Sequence, residues 1–124
     1  MIKILIIGLG GFLGTISRYL SQELVNKLFT SQIPLGTLVV NIVGSFLIGV
    51  IYALSEKNNL FASELKIFLV YGFCGGFTTF SSFAYENMNL LKEGNYLSFF
   101  LYISISIIVG LLAVFSGVYL IKSI

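Results

Sequence analysis

The chain has 124 residues, of which 57% are hydrophobic and only 10% charged, against roughly a quarter charged in an ordinary soluble domain. It carries seven basic and five acidic residues, one Cys and no His, with a net charge of +2. This excludes Ser-His and Cys-His catalysis, zinc clusters, intrachain disulfides, carboxylate-built Ca²⁺ or Mg²⁺ sites and a nucleic-acid surface, and leaves a small integral membrane protein.

The charges divide the chain into four apolar spans, each near the roughly 20 residues that a membrane helix needs. The first carries no charge from Ile4 to Ser17 and continues past Arg18 to about Glu23. The others are charge-free over Leu28–Ser55, Ile67–Tyr85 and Gly94–Ile121. Helices are predicted near 2–25, 34–55, 64–91 and 97–121, joined by short loops near 26–33, 56–63 and 92–96. Pro34 suits a first helical turn, Ser63 and Glu64 a helix start, and Gly94 a helix stop. The first span lacks a small-residue cleavage site and is followed by three more, so it reads as a retained helix rather than a signal peptide. One domain, 1–124, is expected.

With four spans, both termini and the second loop share one side of the membrane. Lys3, Lys57, Lys66 and Lys122 lie toward that side, and Arg18, Lys27 and Lys92 toward the other. Basic residues orient a membrane protein through their imbalance, and this tally is nearly balanced. The reading favoured here is dual topology, with chains inserted both ways and paired antiparallel; the alternative is one weakly set orientation.

Small residues recur four apart: Gly10 and Gly14, Ser45 and Gly49, Gly72 and Gly76, Ser106 and Gly110, Ala113 and Gly117. This spacing lets membrane helices approach closely. The third span is different, because Gly75-Gly76 and four consecutive-region hydroxyls (Thr78, Thr79, Ser81, Ser82) fall near the bilayer middle. Two readings stand: a helix broken there, with freed carbonyls or N–H groups available to an ion, or an intact helix whose hydroxyls bond back to their own carbonyls. Asn41, deep in the second span, either glues helices or offers its NH₂ to a permeating anion. Arg18 either snorkels to the interface or attracts anions at a pathway mouth. Phe80 and Phe83, three apart, share a helix face, where ring edges would supply weak positive potential. Cys74 reads as a small apolar packer.

Three blocks together resemble the Fluc family of fluoride channels, also called CrcB. They are Gly10-Gly11-x-x-Gly14-x-x-x-Arg18-Tyr19, Gly36-Thr37-Leu38-x-Val40-Asn41-x-x-Gly44-Ser45-Phe46-x-x-Gly49, and Gly72-x-x-Gly75-Gly76-x-Thr78-Thr79-Phe80-Ser81-x-Phe83. The match covers most of residues 8 to 86, and the fourth span carries no comparable signature. The resemblance implies an all-α membrane fold: an antiparallel dual-topology homodimer of four-helix subunits, each with its third helix broken near 75–79. It implies two fluoride pores along the subunit interface and a structural Na⁺ on the two-fold axis, held by the Gly75 and Thr78 carbonyls. Phe80, Phe83 and Asn41 correspond to pore residues and Arg18 to a vestibule residue. Thr79, Ser81 and Ser82 are further pore candidates. Tyr102, Ser104 and Ser106 are candidates from the fourth span. Ser82 stands where Thr is usual and Thr15 where Ala is usual.

The function this implies is passive fluoride export across the cytoplasmic membrane, conferring fluoride resistance, with no enzymatic step. Transfer of a bare ion to a low-dielectric medium costs on the order of tens of kcal/mol, so the path must replace water with protein donors. Neutral donors suit conduction, which needs sites weak enough to leave. The chain has no Gly-x-x-x-x-Gly-Lys nucleotide motif to supply energy. A small multidrug-type exporter needs an acid within the membrane, and the charge-free stretches have none. A non-transporting membrane subunit is opposed only by the three motif blocks.

Overall fold

The computed structural model describes residues 1–58 and 63–124. Helix α1 spans Ile2–Leu28 and α2 spans Leu35–Asn58. The third span comprises α3 (Ser63–Ile67), a π-helical segment (Phe68–Cys74), α4 (Gly75–Phe77) and, after an interruption, α5 (Phe80–Lys92). Helix α6 spans Tyr96–Lys122. Among the described residues, four stretches are long and apolar enough to cross a membrane: Ile2–Leu28, Leu35–Lys57, Ser63–Lys92 and Tyr96–Lys122. Their outer faces agree, since Leu5, Phe12 and Leu24 of α1 and Phe115 and Tyr119 of α6 are each more than half exposed. The molecule is a multi-pass membrane protein.

The predicted limits hold within a few residues, and the local signals explain most of them. Gly94 adopts φ +76, a conformation that costs glycine little. The Gly94 N–H then donates to the Leu91 carbonyl (3.0 Å) and the Asn95 N–H to that of Leu90 (2.9 Å), closing α5 with a Schellman pair. Asn95 caps α6 by accepting from the Ser98 N–H (3.4 Å). Pro34 falls just before α2 instead of inside its first turn, its carbonyl accepting the Leu38 N–H (3.2 Å). The predicted loop at 56–63 lies partly outside the described residues, at 59–62.

Close approach follows the small residues. A Cβ on Gly10 would lie 2.6 Å from the Phe68 carbonyl oxygen and 2.9 Å from Gly72 Cα, so α1 crosses the π-helical segment backbone to backbone. Gly49 and Gly117 make the second tight crossing, where α2 packs along α6, with Gly117 against Val50 N and Gly49 against Val118 N. A Cβ on Gly76 would lie 2.7 Å from the Gly11 carbonyl oxygen and 2.9 Å from Thr15 Oγ1. With lipid outside, these packing contacts hold the helices together in place of a water-driven hydrophobic effect. Two apolar clusters flank the interruption. Leu38, Leu90 and Tyr102 form one; Ile51, Val70 and the fully buried Cys74 form the other, as the packing role for Cys74 required.

Candidate functional site

The third span breaks at Thr78 and Thr79, which are extended (φ −92, ψ 157 and φ −150, ψ 125) between helical Phe77 and Phe80. Both sequence readings contribute. Thr78 Oγ1 does bond back to its own helix, donating to the Cys74 carbonyl (2.8 Å), which also accepts the Thr78 N–H (3.0 Å). That bond ends α4 and does not prevent the break. Thr79 then caps α5, its Oγ1 accepting the Ser82 N–H (3.2 Å).

Groups released by the break find long-range partners. Asn41 clamps Thr79 twice: its Oδ1 accepts the Thr79 N–H (2.8 Å) and its Nδ2 donates to the Thr79 carbonyl (2.9 Å). An amide supplies a donor and an acceptor in a fork that matches the N–H and C=O of one extended residue, which is why Asn suits this position. Gly44, one turn further along α2, leaves room for the Thr78 methyl. Arg18 Nε donates to the Gly76 carbonyl (2.9 Å), so the guanidinium is docked on the turn preceding the break. The sequence offered gluing or ion contact for Asn41, and snorkelling or a mouth position for Arg18. In the structure both side chains are engaged in holding the break.

Around this clamp lies a groove of about 330 Å³ lined by Asn41, Ser45, Ile48, Thr78, Thr79, Phe80, Phe83, Ser106 and Ile107. It brings together Asn41, Thr79, Phe80, Phe83 and Ser106 from the predicted site. The Ser106 hydroxyl is buried without a hydrogen-bond partner among the described residues. Phe80 is 77% exposed and projects from the helical bundle, with its ring 5.6 Å from that of Phe83 at 49°. Phe83 meets Tyr102 edge to face, 5.0 Å apart at 65°.

Tyr102, Ser81, Ser82 and Arg18 lie outside the groove lining. Tyr102 is fully buried behind Phe83, and its hydroxyl donates to Glu86 Oε1 (2.8 Å). Glu86 Oε2 accepts from Thr37 Oγ1 (2.8 Å), which in turn accepts from Gln22 Nε2 (3.1 Å). One chain of bonds thus ties α1, α2, α5 and α6 together and fixes the Tyr102 ring against which Phe83 rests. Ser81 Oγ lies 3.3 Å from Thr79 Oγ1 beside the break. Of the two carbonyls assigned to a cation, that of Gly75 loses the Thr79 N–H an unbroken helix would supply, because this N–H goes to Asn41. That of Thr78 likewise loses the Ser82 N–H, which goes to Thr79 Oγ1.

Sequence reasoning missed Glu86, Ser45, Ile48 and Ile107. Ser45 stands in the sequence as a small packing residue and a member of the second motif block, and Glu86 falls one position beyond the charge-free stretch. A signal was present: Thr37, Asn41 and Ser45 recur every four residues on α2, as do Tyr102 and Ser106 on α6. Such spacing puts polar groups on one helix face.

Comparison with known proteins agrees with this arrangement. The family model described as CrcB-like protein, Camphor Resistance (CrcB), matches residues 5–118. A protein of Bacteroides fragilis named fluoride-specific ion channel FluC is 50% identical over 123 residues, covering 97% of this chain and 96% of its own. Proteins of the same name from Leptospira interrogans and Gloeothece citriformis are 47% and 48% identical, each covering 98% of this chain and 95% and 98% of their own. A broken third span clamped by Asn41, the three motif blocks and these near-full-length matches agree: the chain belongs to the CrcB family of membrane proteins.

Proposed function

We infer that this protein is a fluoride-selective ion channel and not an enzyme. The observation that carries the reading at the site is the groove beside the break, where a buried, unpartnered Ser106 hydroxyl shares one space with Asn41, Thr79, Phe80 and Phe83. An unpaired buried hydroxyl is costly unless something uses it. An anion stripped of water needs such donors along its way, together with the positive edges of aromatic rings. The exporter reading is not favoured. The relatives carry a channel's name, and Glu86, the acid facing the bundle, is engaged by two hydroxyls.

The finer picture is ours. Fluoride leaves passively through two pores of an antiparallel homodimer in the cell membrane. The half-open groove and the exposed Phe80 support this, since a single subunit supplies only one wall of a path. The Gly75 and Thr78 carbonyls would hold a structural Na⁺ on the two-fold axis. Their fit rests on the donors they lose at the break and on the preference of hard cations for oxygen. When bound, the ion adds fixed positive charge between the pores. Arg18, docked nearby, adds positive potential that draws anions toward the site.

Purified protein in liposomes should pass fluoride with negligible chloride flux. Phe80→Ile and Phe83→Ile should each depress that flux in a folded protein. Robust chloride conduction, or no fluoride flux from the native chain, would overturn the channel reading. Full flux in both variants would remove the aromatic contribution alone.

A further inference from the structure

Ser45 is placed in the groove by the fold; in the sequence it stands in the second motif block and among the small residues of α2, without a role of its own. Its hydroxyl donates to the Asn41 carbonyl (2.7 Å), one turn back on the same helix. This is the ordinary resting bond of a membrane-helix serine. Three features make it more than that. Ser45 and Ser106 line the same groove from facing helices, and the Ser106 hydroxyl has no partner. The space beside Ser45 is open: a Cβ on Gly110 of α6 would meet only Ser45 Oγ, at 4.0 Å. Asn41, one turn away in the same groove, has its Oδ1 and one Nδ2 hydrogen committed to Thr79, which limits what it can offer an ion.

We infer that the Ser45 hydroxyl is a direct contact of the permeating ion, carrying it from the Asn41 end of the groove toward Ser106. The inference rests on the channel reading. The hydroxyl turns about χ1, moves its hydrogen bond from the Asn41 carbonyl to the anion, and turns back when the ion leaves. No proton is transferred. The exchange costs little, because the Asn41 carbonyl faces a regular helical turn and keeps the backbone N–H donor that such a turn supplies. A donor that swaps one bond for another holds the ion weakly, as conduction requires. Ser45 and Ser106 together form a two-walled step past the aromatic pair, in which one donor must be released and the other is already free.

The test is fluoride flux in liposomes for Ser45→Ala and Ser45→Cys, each checked for melting temperature and particle size. Alanine removes the donor, and cysteine keeps the shape with only a weak S–H donor. Both should lower flux, by roughly three- to tenfold for one neutral hydrogen bond, with melting unchanged. The Ser45→Ala/Ser106→Ala double variant should lose less than the product of the single losses, because the two hydroxyls serve one ion. Native flux in Ser45→Cys would overturn the inference, whatever Ser45→Ala does, while leaving the channel reading intact. Absence of flux from the native chain in the same liposomes would instead defeat the channel reading itself.

Discussion

Asn41 controls the break through two hydrogen bonds to one peptide neighbour, Thr79. Removing them leaves a backbone N–H and a carbonyl without partners in a region that water reaches poorly, where each such group is expensive. Asn41→Ala should therefore lower stability by about 2 kcal/mol, read as a lower melting temperature in detergent. Unchanged melting would mean that the Thr79 cap and the packing of Gly44 against Thr78 suffice to hold the break. The same residue also lines the groove, so its loss should reduce fluoride flux in addition. Glu86 shows the complementary arrangement. It is an acid near the end of a membrane span whose two oxygens accept from Thr37 and Tyr102, neutral hydroxyls that hold it with no cation paired to it among the described residues. Its effect on the groove passes through Tyr102 to the Phe83 ring.

At the scale of elements, the interrupted third span is positioned by two different kinds of contact. Upstream of the break, α1 approaches the π-helical segment so closely that Gly10 faces backbone atoms of Phe68 and Gly72. Backbone cannot yield as a flexible side chain can, so Gly10→Ala should cost about 1–3 kcal/mol by overpacking. Gly8, on the same helix, has nothing within 4 Å, and Gly8→Ala should be neutral or slightly stabilising through helix propensity. Equal melting temperatures for the two variants would show that α1 can shift away from the crossing. Downstream, α5 begins on the Thr79 cap; Thr79→Ala should remove about 1 kcal/mol, with melting again the readout, and no loss would show that Asn41 alone starts the helix.

The whole molecule presents apolar side chains outward on α1 and α6 and leaves Phe80 projecting beside a half-open groove. The antiparallel homodimer proposed above would complete that groove with a second copy. Its premise is the balance of basic residues across the two membrane sides, four against three. Reporter fusions to the C-terminus should therefore give signal on both sides of the membrane. Signal confined to one side would exclude dual topology and leave the channel reading to be judged by flux.

Whatever depends on sums and spacing along the chain was legible before any folding was considered. Apolar runs bounded by scarce charges set four spans, Gly94 ended α5, and Gly75-Gly76 followed by hydroxyls marked where the third span could break, a break that the family resemblance then implied. The three motif blocks also placed the chain beside its family. Which partners the polar groups take emerged with the packing of the helices. The Asn41–Thr79 and Arg18–Gly76 bonds join residues 38 and 58 positions apart. Such pairings depend on where helices cross and how they are rotated, which hydropathy does not encode. For the same reason Ser45 and Gly49, alike in sequence as small residues four apart, separate in the fold. Where α2 passes Gly49 it is closed against α6, and one turn earlier on the same face, at Ser45, it opens onto the groove.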